Sequence, residues 1–168
     1  RPDARHIRYD DVRQLKSTIS TELNIEGNPI DSFVDLVCEV RPAQVTLVPD
    51  APDAITSNAG WDTIANREFL TAMCERFRAL GIRTSIFVDP VPEMVRGAKA
   101  CGADRVELYT EAYARDYATD REAAIAPYVA AAEAARECGL VRGAYHFFLP
   151  DVSAELQARN FISQVDLQ

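Results

Sequence analysis

The sequence is most informative first in what it lacks. None of its apolar runs approaches the length needed to cross a bilayer, and Arg1-Pro2-Asp3-Ala4-Arg5 is not a signal peptide. The expectation is therefore a cytoplasmic chain. Its four cysteines, Cys38, Cys74, Cys101 and Cys138, include no C-x-x-C pair. Each falls within or at the end of a predicted helix, which favours small buried residues over a metal or disulfide framework. Neither G-x-G-x-x-G nor G-x-x-x-x-G-K-[ST] occurs, so a nucleotide-binding open sheet has little support. Excess positive charge is missing too. The formal net charge is -8, which argues against a general nucleic-acid or anionic-membrane binder but leaves room for a local cationic pocket for phosphate.

What remains is an ordinary globular composition. The 168 residues are 48% hydrophobic and 26% charged, enough for one domain with a real core. The stretch Thr21-Glu22-Leu23-Asn24-Ile25-Glu26-Gly27 alternates apolar and polar side chains at the period of a strand and ends on a carboxylate beside a glycine. Barrel enzymes place catalytic groups in this way, at a rigid strand end followed by a loop that leaves room for a ligand.

The chain repeats this plan. A helix is predicted from Asp10 to Thr18 with Asp10 as its cap, and another from Asp31-Ser32 to before Pro42. Gln44 to Pro49 reads as a buried strand and residues 50–62 as a long loop, a type that is often functional. A helix over Asn66–Leu80, a strand over Thr84–Asp89 and a helix over Glu93–Cys101 follow. Then come a strand over Arg105–Tyr109, a loop over Thr110–Thr119, a helix over Asp120–Cys138 with a kink at Pro127, a strand over Gly143–Phe148 and a last helix over Val152–Val165. Leu80-Gly81-Ile82, Cys101-Gly102-Ala103 and Cys138-Gly139-Leu140 are three near-identical helix stops, each with a glycine suited to the left-handed conformation. Alternating strands and helices with short returns imply an α/β fold of parallel (β/α) units with right-handed crossovers, either an open doubly wound sheet or part of an eight-unit barrel, with about five strands.

Several strands carry ionisable residues at or near their ends. Asp89 before Pro90 reads best as a helix cap. Glu107 lies between apolar Val106 and Leu108, so it faces the barrel interior, the helix layer or a partner, where a carboxylate needs a cation or donors. His146, among Tyr145, Phe147 and Phe148, is either a satisfied core residue or a strand-end catalytic group. Arg1, Arg5, His6 and Arg8 form either a solvated terminus or a phosphate clamp. Thr56 could donate its hydroxyl to a phosphate.

Together, Arg1-Pro2-Asp3-Ala4-Arg5-His6-Ile7, Thr21 to Glu26, Val45-Thr46-Leu47-Val48-Pro49, Ser85-Ile86-Phe87-Val88-Asp89 and Val106-Glu107-Leu108-Tyr109-Thr110-Glu111-Ala112-Tyr113-Ala114 resemble pyridoxine 5'-phosphate synthase from residue 1 to about 140. The resemblance implies a TIM barrel in which 1-deoxy-D-xylulose 5-phosphate and 3-amino-2-oxopropyl phosphate condense to pyridoxine 5'-phosphate. It implies no metal or organic cofactor. On it, Glu26 is the catalytic general acid/base, Arg1, His6 and Thr56 bind substrate, and Glu107 lines the site. The proton transfers of imine formation, dehydration and ring closure suit such groups.

Against the family pattern, the chain starts after the second strand and ends before the eighth. After Leu140, Arg142 to Val152 and Gln157 to Ile162 resemble instead a strand and helix of glycoside hydrolase family 25 lysozymes. That segment stops before the acidic strand of that family, so lysozyme activity is not expected. Counted without gaps, His146 falls on the synthase's catalytic histidine. The expectation is thus a chimera, with a synthase-like fragment over 1–140 and a lysozyme-like strand and helix over 141–168 completing the same domain. Its transferase activity would be impaired or absent. The alternative is an engineered barrel fragment with a structural role only. The expected partners are phosphorylated small molecules, with neither nucleic acid nor membrane, and open sheet edges invite a homo-oligomer.

Overall fold

The computed structural model describes residues 7–49 and 59–140. Ten elements follow one another: α1 (Tyr9–Thr18), β1 (Asn24–Gly27), α2 (Asp31–Val40), β2 (Gln44–Leu47), α3 (Arg67–Arg78), β3 (Arg83–Val88), α4 (Pro92–Ala100), β4 (Arg105–Leu108), α5 (Glu111–Asp116) and α6 (Arg121–Glu137). The four strands form one parallel sheet in the order β1-β2-β3-β4. Each strand pairs with the next in sequence after a helical crossover, the arrangement of successive units in a TIM-type barrel. The strand expected over Gly143–Phe148 and the helix over Val152–Val165 lie outside the described residues.

The pleat divides the sheet's side chains into two sets. Ile25, Val45, Leu47, Ile86, Val88, Val106 and Leu108 are buried in the main hydrophobic cluster with Val34, Val37, Leu70, Phe77, Val95 and Ala131 from the helices. Burying each large aliphatic or aromatic side chain of this kind stabilises the fold by roughly 1.5–3 kcal/mol. The opposite face carries Asn24, Glu26, Gln44, Thr46, Arg83, Ser85, Phe87, Arg105 and Glu107. That polar, largely hydrogen-bonded face is the barrel's interior.

Glycine closes three helices as the sequence predicts. Gly81, Gly102 and Gly139 have φ of 74°, 92° and 70°, a region that costs a residue with a Cβ energy. All four cysteines are free thiols within or at the end of helices. Burial holds the Cys74 thiol up at about 12, so it is an inert packing group.

Several local expectations change. Asp10 does not cap α1. Arg8 is the N-cap residue, its N–H donates to Asp11 Oδ2 at 3.1 Å, and Asp10 instead pairs with Arg13 at 2.8 Å. Asp89 does not cap α4. Pro92 starts that helix, Val91 occupies the cap position, and Asp89 Oδ1 accepts from the Gly60 N–H at 3.3 Å. Thr110–Thr119 is not all loop, because α5 occupies its first part. Pro127 sits on the exposed face of α6, which runs through it as one helix capped by Asp120.

Candidate active site

The interior face has two ends of different character. Toward the strand N-termini, long side chains bridge non-adjacent strands. Arg105 Nη1 donates to Gln44 Oε1 at 2.9 Å, passing β3 beside the small Ser85, its register partner. Arg83 reaches Glu22, just ahead of β1, and holds its carboxyl below the usual carboxylate range. Thr46 Oγ1 donates to Asn24 Oδ1 at 3.2 Å. This end is tied together by its own hydrogen bonds and reads as structural.

Toward the strand C-termini the same face carries two carboxylates. Glu26, on β1, is exposed. Glu107, on β4, is only 6% exposed. Burial first, and the charge of Glu26 second, push the Glu107 carboxyl up to about 8. Desolvation disfavours the charged carboxylate, and a like charge nearby adds to the penalty. Burial and the neighbouring charge thus both favour the protonated form of Glu107.

The charge of Glu26 is felt at Glu107 although the two stand on different edge strands of the sheet. They sit on the first and last of four strands. In a flat sheet three strand spacings would separate them by about 14 Å. Closing a sheet toward a barrel turns outer strands inward and lets their inner-face side chains converge.

The rim above the pair is built by backbone contacts. Trp61 N–H donates to Phe87 O at 2.8 Å and Trp61 Nε1 donates to Leu47 O at 3.1 Å, so one residue bridges the ends of β2 and β3. A Cβ on Gly60 would lie 2.2 Å from Asp89 N and 2.3 Å from Val88 C, so only glycine permits this approach. Tyr109 follows β4, where its N–H donates to Val88 O at 2.9 Å and its carbonyl accepts from Tyr128 Oη at 2.9 Å. Its ring packs edge-on against Phe87 with centroids 5.6 Å apart. Gly27 is not the flexible spacer its position after Glu26 suggests. It is a buried strand residue, and a Cβ there would meet the Phe33 ring at 2.5 Å.

Of the six site residues read from sequence, the structure describes Glu26 and Glu107 and brings both to one face. Arg1, His6, Thr56 and His146 lie outside the described residues. Sequence reasoning missed Phe87, Tyr109 and Trp61 as members of the site's surroundings. Phe87 had a usable signal, the period-2 spacing from Ser85 that puts it on the polar face. Among the described residues no group of three or more His, Cys, Asp or Glu side chains could hold a metal ion, and no helix is long and apolar enough to cross a membrane.

Comparison with known proteins agrees with this architecture. The family model described as pyridoxal phosphate biosynthesis protein PdxJ matches residues 1–165. The pyridoxine 5'-phosphate synthase of Flavobacterium johnsoniae is 60% identical over 146 residues, covering 87% of this chain and 62% of that protein. That of Cytophaga hutchinsonii is 58% identical over 146 residues, covering 87% and 61%, and that of Bacteroides thetaiotaomicron 57% over 146 residues, covering 87% and 62%. The chain thus spans about three-fifths of the length of these relatives. The family match continues past the expected boundary between residues 140 and 141 and gives a separate lysozyme-like segment no support. With a match over nearly the whole chain and more than half of the aligned residues identical, the chain belongs to the PdxJ family of pyridoxal phosphate biosynthesis proteins.

Proposed function

We propose that this chain carries the central acid–base part of a pyridoxine 5'-phosphate synthase site, acting on phosphorylated small molecules. The observation that carries the reading is the convergence of Glu26 and Glu107 at the strand C-termini of a β/α sheet. Two carboxylates in unlike environments divide acid and base work between them. Glu26, exposed at the rim, is the proton acceptor and donor for the condensing substrates. Glu107, buried and protonated, is a hydrogen-bond donor to an oxygen on which negative charge develops. Arg1, His6 and Thr56 bind the substrates and their phosphates, and His146 is the second proton-transfer group. No step in this scheme calls on a metal or an organic cofactor.

Complementation of a vitamin B6 auxotroph tests the reading, alongside release of inorganic phosphate from the two purified substrates. Growth that is lost on Glu26→Gln, with kcat down about 10²–10⁴-fold, is the expected result for a lost general acid/base. Soluble, folded protein with no turnover would remove the reading.

A second reading concerns the tail. Alignment to the curated relatives covers 87% of the chain, whereas the family model extends to residue 165. We infer from Tyr145 and Phe147, bulky residues on either side of the His146 that falls on the synthase histidine, that residues 141–168 come from another barrel and impair the site. Exchanging them for the corresponding segment of the Flavobacterium johnsoniae synthase should raise turnover at least about 10-fold, the effect of removing roughly 1.4 kcal/mol of barrier. Equal turnover would remove this reading.

A further inference from the structure

We propose that Phe87 and Tyr109 form an aromatic wall that keeps water from the Glu107 carboxyl, making both rings positioning residues for that acid. The inference rests on the reading of Glu107 as a proton-holding acid and adds the residues responsible. Three placements carry it. Phe87 is the register partner of Glu107 across the β3–β4 ladder, so the two side chains leave the same face side by side. Tyr109 is two residues beyond Glu107 on its own strand direction and so shares that face. The two rings meet edge to face at 5.6 Å, closing the diagonal of the triangle whose third corner is Glu107.

Tyr109 is fixed for this role. Its N–H is held by Val88 O and its carbonyl by the Tyr128 hydroxyl, both at 2.9 Å, and Tyr128 itself is buried. The wall therefore rests on α6 rather than on loop backbone. Phe87 is almost wholly buried on a face whose other described residues, apart from Val48 beyond the end of β2, are mostly polar, among them Thr46, Ser85 and Arg105. A large apolar ring on that face needs a reason, and exclusion of water beside a carboxyl is one.

Among the described residues the charged and titratable groups around Glu107 are few. Glu26 faces it from β1. β2 contributes only Gln44, Thr46 and Val48 to this face. β3 brings Arg83 low in the barrel and Asp89 at its end, and β4 brings Arg105 and Tyr109, with Glu111 at the start of α5. Arg105 is engaged with Gln44, and Arg83 with Glu22. Among the described residues the cationic groups lie toward the far end of the strands and the anionic ones toward the rim. Apolar shielding by the rings is thus reinforced, not cancelled, by the charges nearest the carboxyl.

The test is a carbon-detected NMR titration of the Glu107 carboxyl in the full chain, which needs no turnover. Phe87→Thr, which opens the wall, should lower the Glu107 pKa by about one unit or more, and Phe87→Leu, which keeps it apolar, by less. Tyr109→Phe should leave it in place, while Tyr109→Ala should lower it as Phe87→Thr does. Thermal melts and far-UV circular dichroism identify the folded variants. If Phe87→Thr is unfolded, Tyr109→Ala and Phe87→Leu decide the question. A Glu107 pKa that stays within about 0.3 units in every folded wall-opening variant would overturn the proposal. Lowered values in a chain without synthase turnover would leave the wall standing and count only against the synthase reading.

Discussion

Glu107 is the residue at which burial and chemistry meet. Its carboxyl is shifted from an ordinary 4.5 to about 8, so the folded chain binds a proton more tightly than the unfolded chain does. The sign follows from linkage. The contribution of Glu107 to stability is fully present below about 4.5 and is lost as the pH rises through about 8. Urea unfolding at several pH values should therefore show stability falling across that window by on the order of a few kcal/mol more in the parent chain than in Glu107→Gln. Parallel pH dependences in the two proteins would show that Glu107 titrates normally. Sequence reading could bring Glu107 only to three alternatives (interior, helix layer or partner). Val106 and Leu108 fix which way it does not point, but which layer lies on its own side depends on the curl of the sheet.

At the scale of elements, β/α alternation and the glycine stops were legible because they depend on local chemistry. An apolar period of two or 3.6 and a left-handed C-terminal residue need no tertiary information. Short elements escaped. The six residues of α5 have no side-chain cap at Thr110 and too few turns to show a period, so their helix depends on Tyr113 packing into the core. Asp89 does not cap because Pro92, as the first residue of the helix, places Val91 in the cap position and leaves the Asp89 carboxylate for Gly60. That contact separates two kinds of glycine. Gly81 has open space around a Cβ, so Gly81→Ala should cost only the left-handed backbone penalty, about 1–2 kcal/mol. Gly60→Ala drives a Cβ into the β3 terminus and should cost more than that, and it should also weaken the adjoining Trp61 bridge between β2 and β3. Thermal unfolding, with Trp61 fluorescence as the second probe, ranks the two. Equal losses with unchanged fluorescence would contradict the packing described for the rim.

At the scale of the whole molecule, four parallel strands present an apolar face to the helices and a polar face to the interior of a barrel. Among the described residues β1 and β4 each pair on one side only. We propose that the chain forms a homo-oligomer through its sheet edges; light scattering after size exclusion should then give a dimer or larger, and a clean monomer would count against it. Glu26 and Glu107 stand on β1 and β4, the first and last strands of the sheet, so any site they share needs the sheet to curl. No pattern in the sequence states that curl, which is why each glutamate could be singled out but their interaction could not. The most direct measurement is the pH titration of the Glu107 carboxyl by carbon-detected NMR in the parent chain and in Glu26→Gln. The site described here predicts a Glu107 pKa near 8 in the parent and a clearly lower one once the Glu26 charge is removed. An ordinary carboxylate value in the parent, or one that Glu26→Gln leaves unmoved, would mean that the two residues do not form a pair.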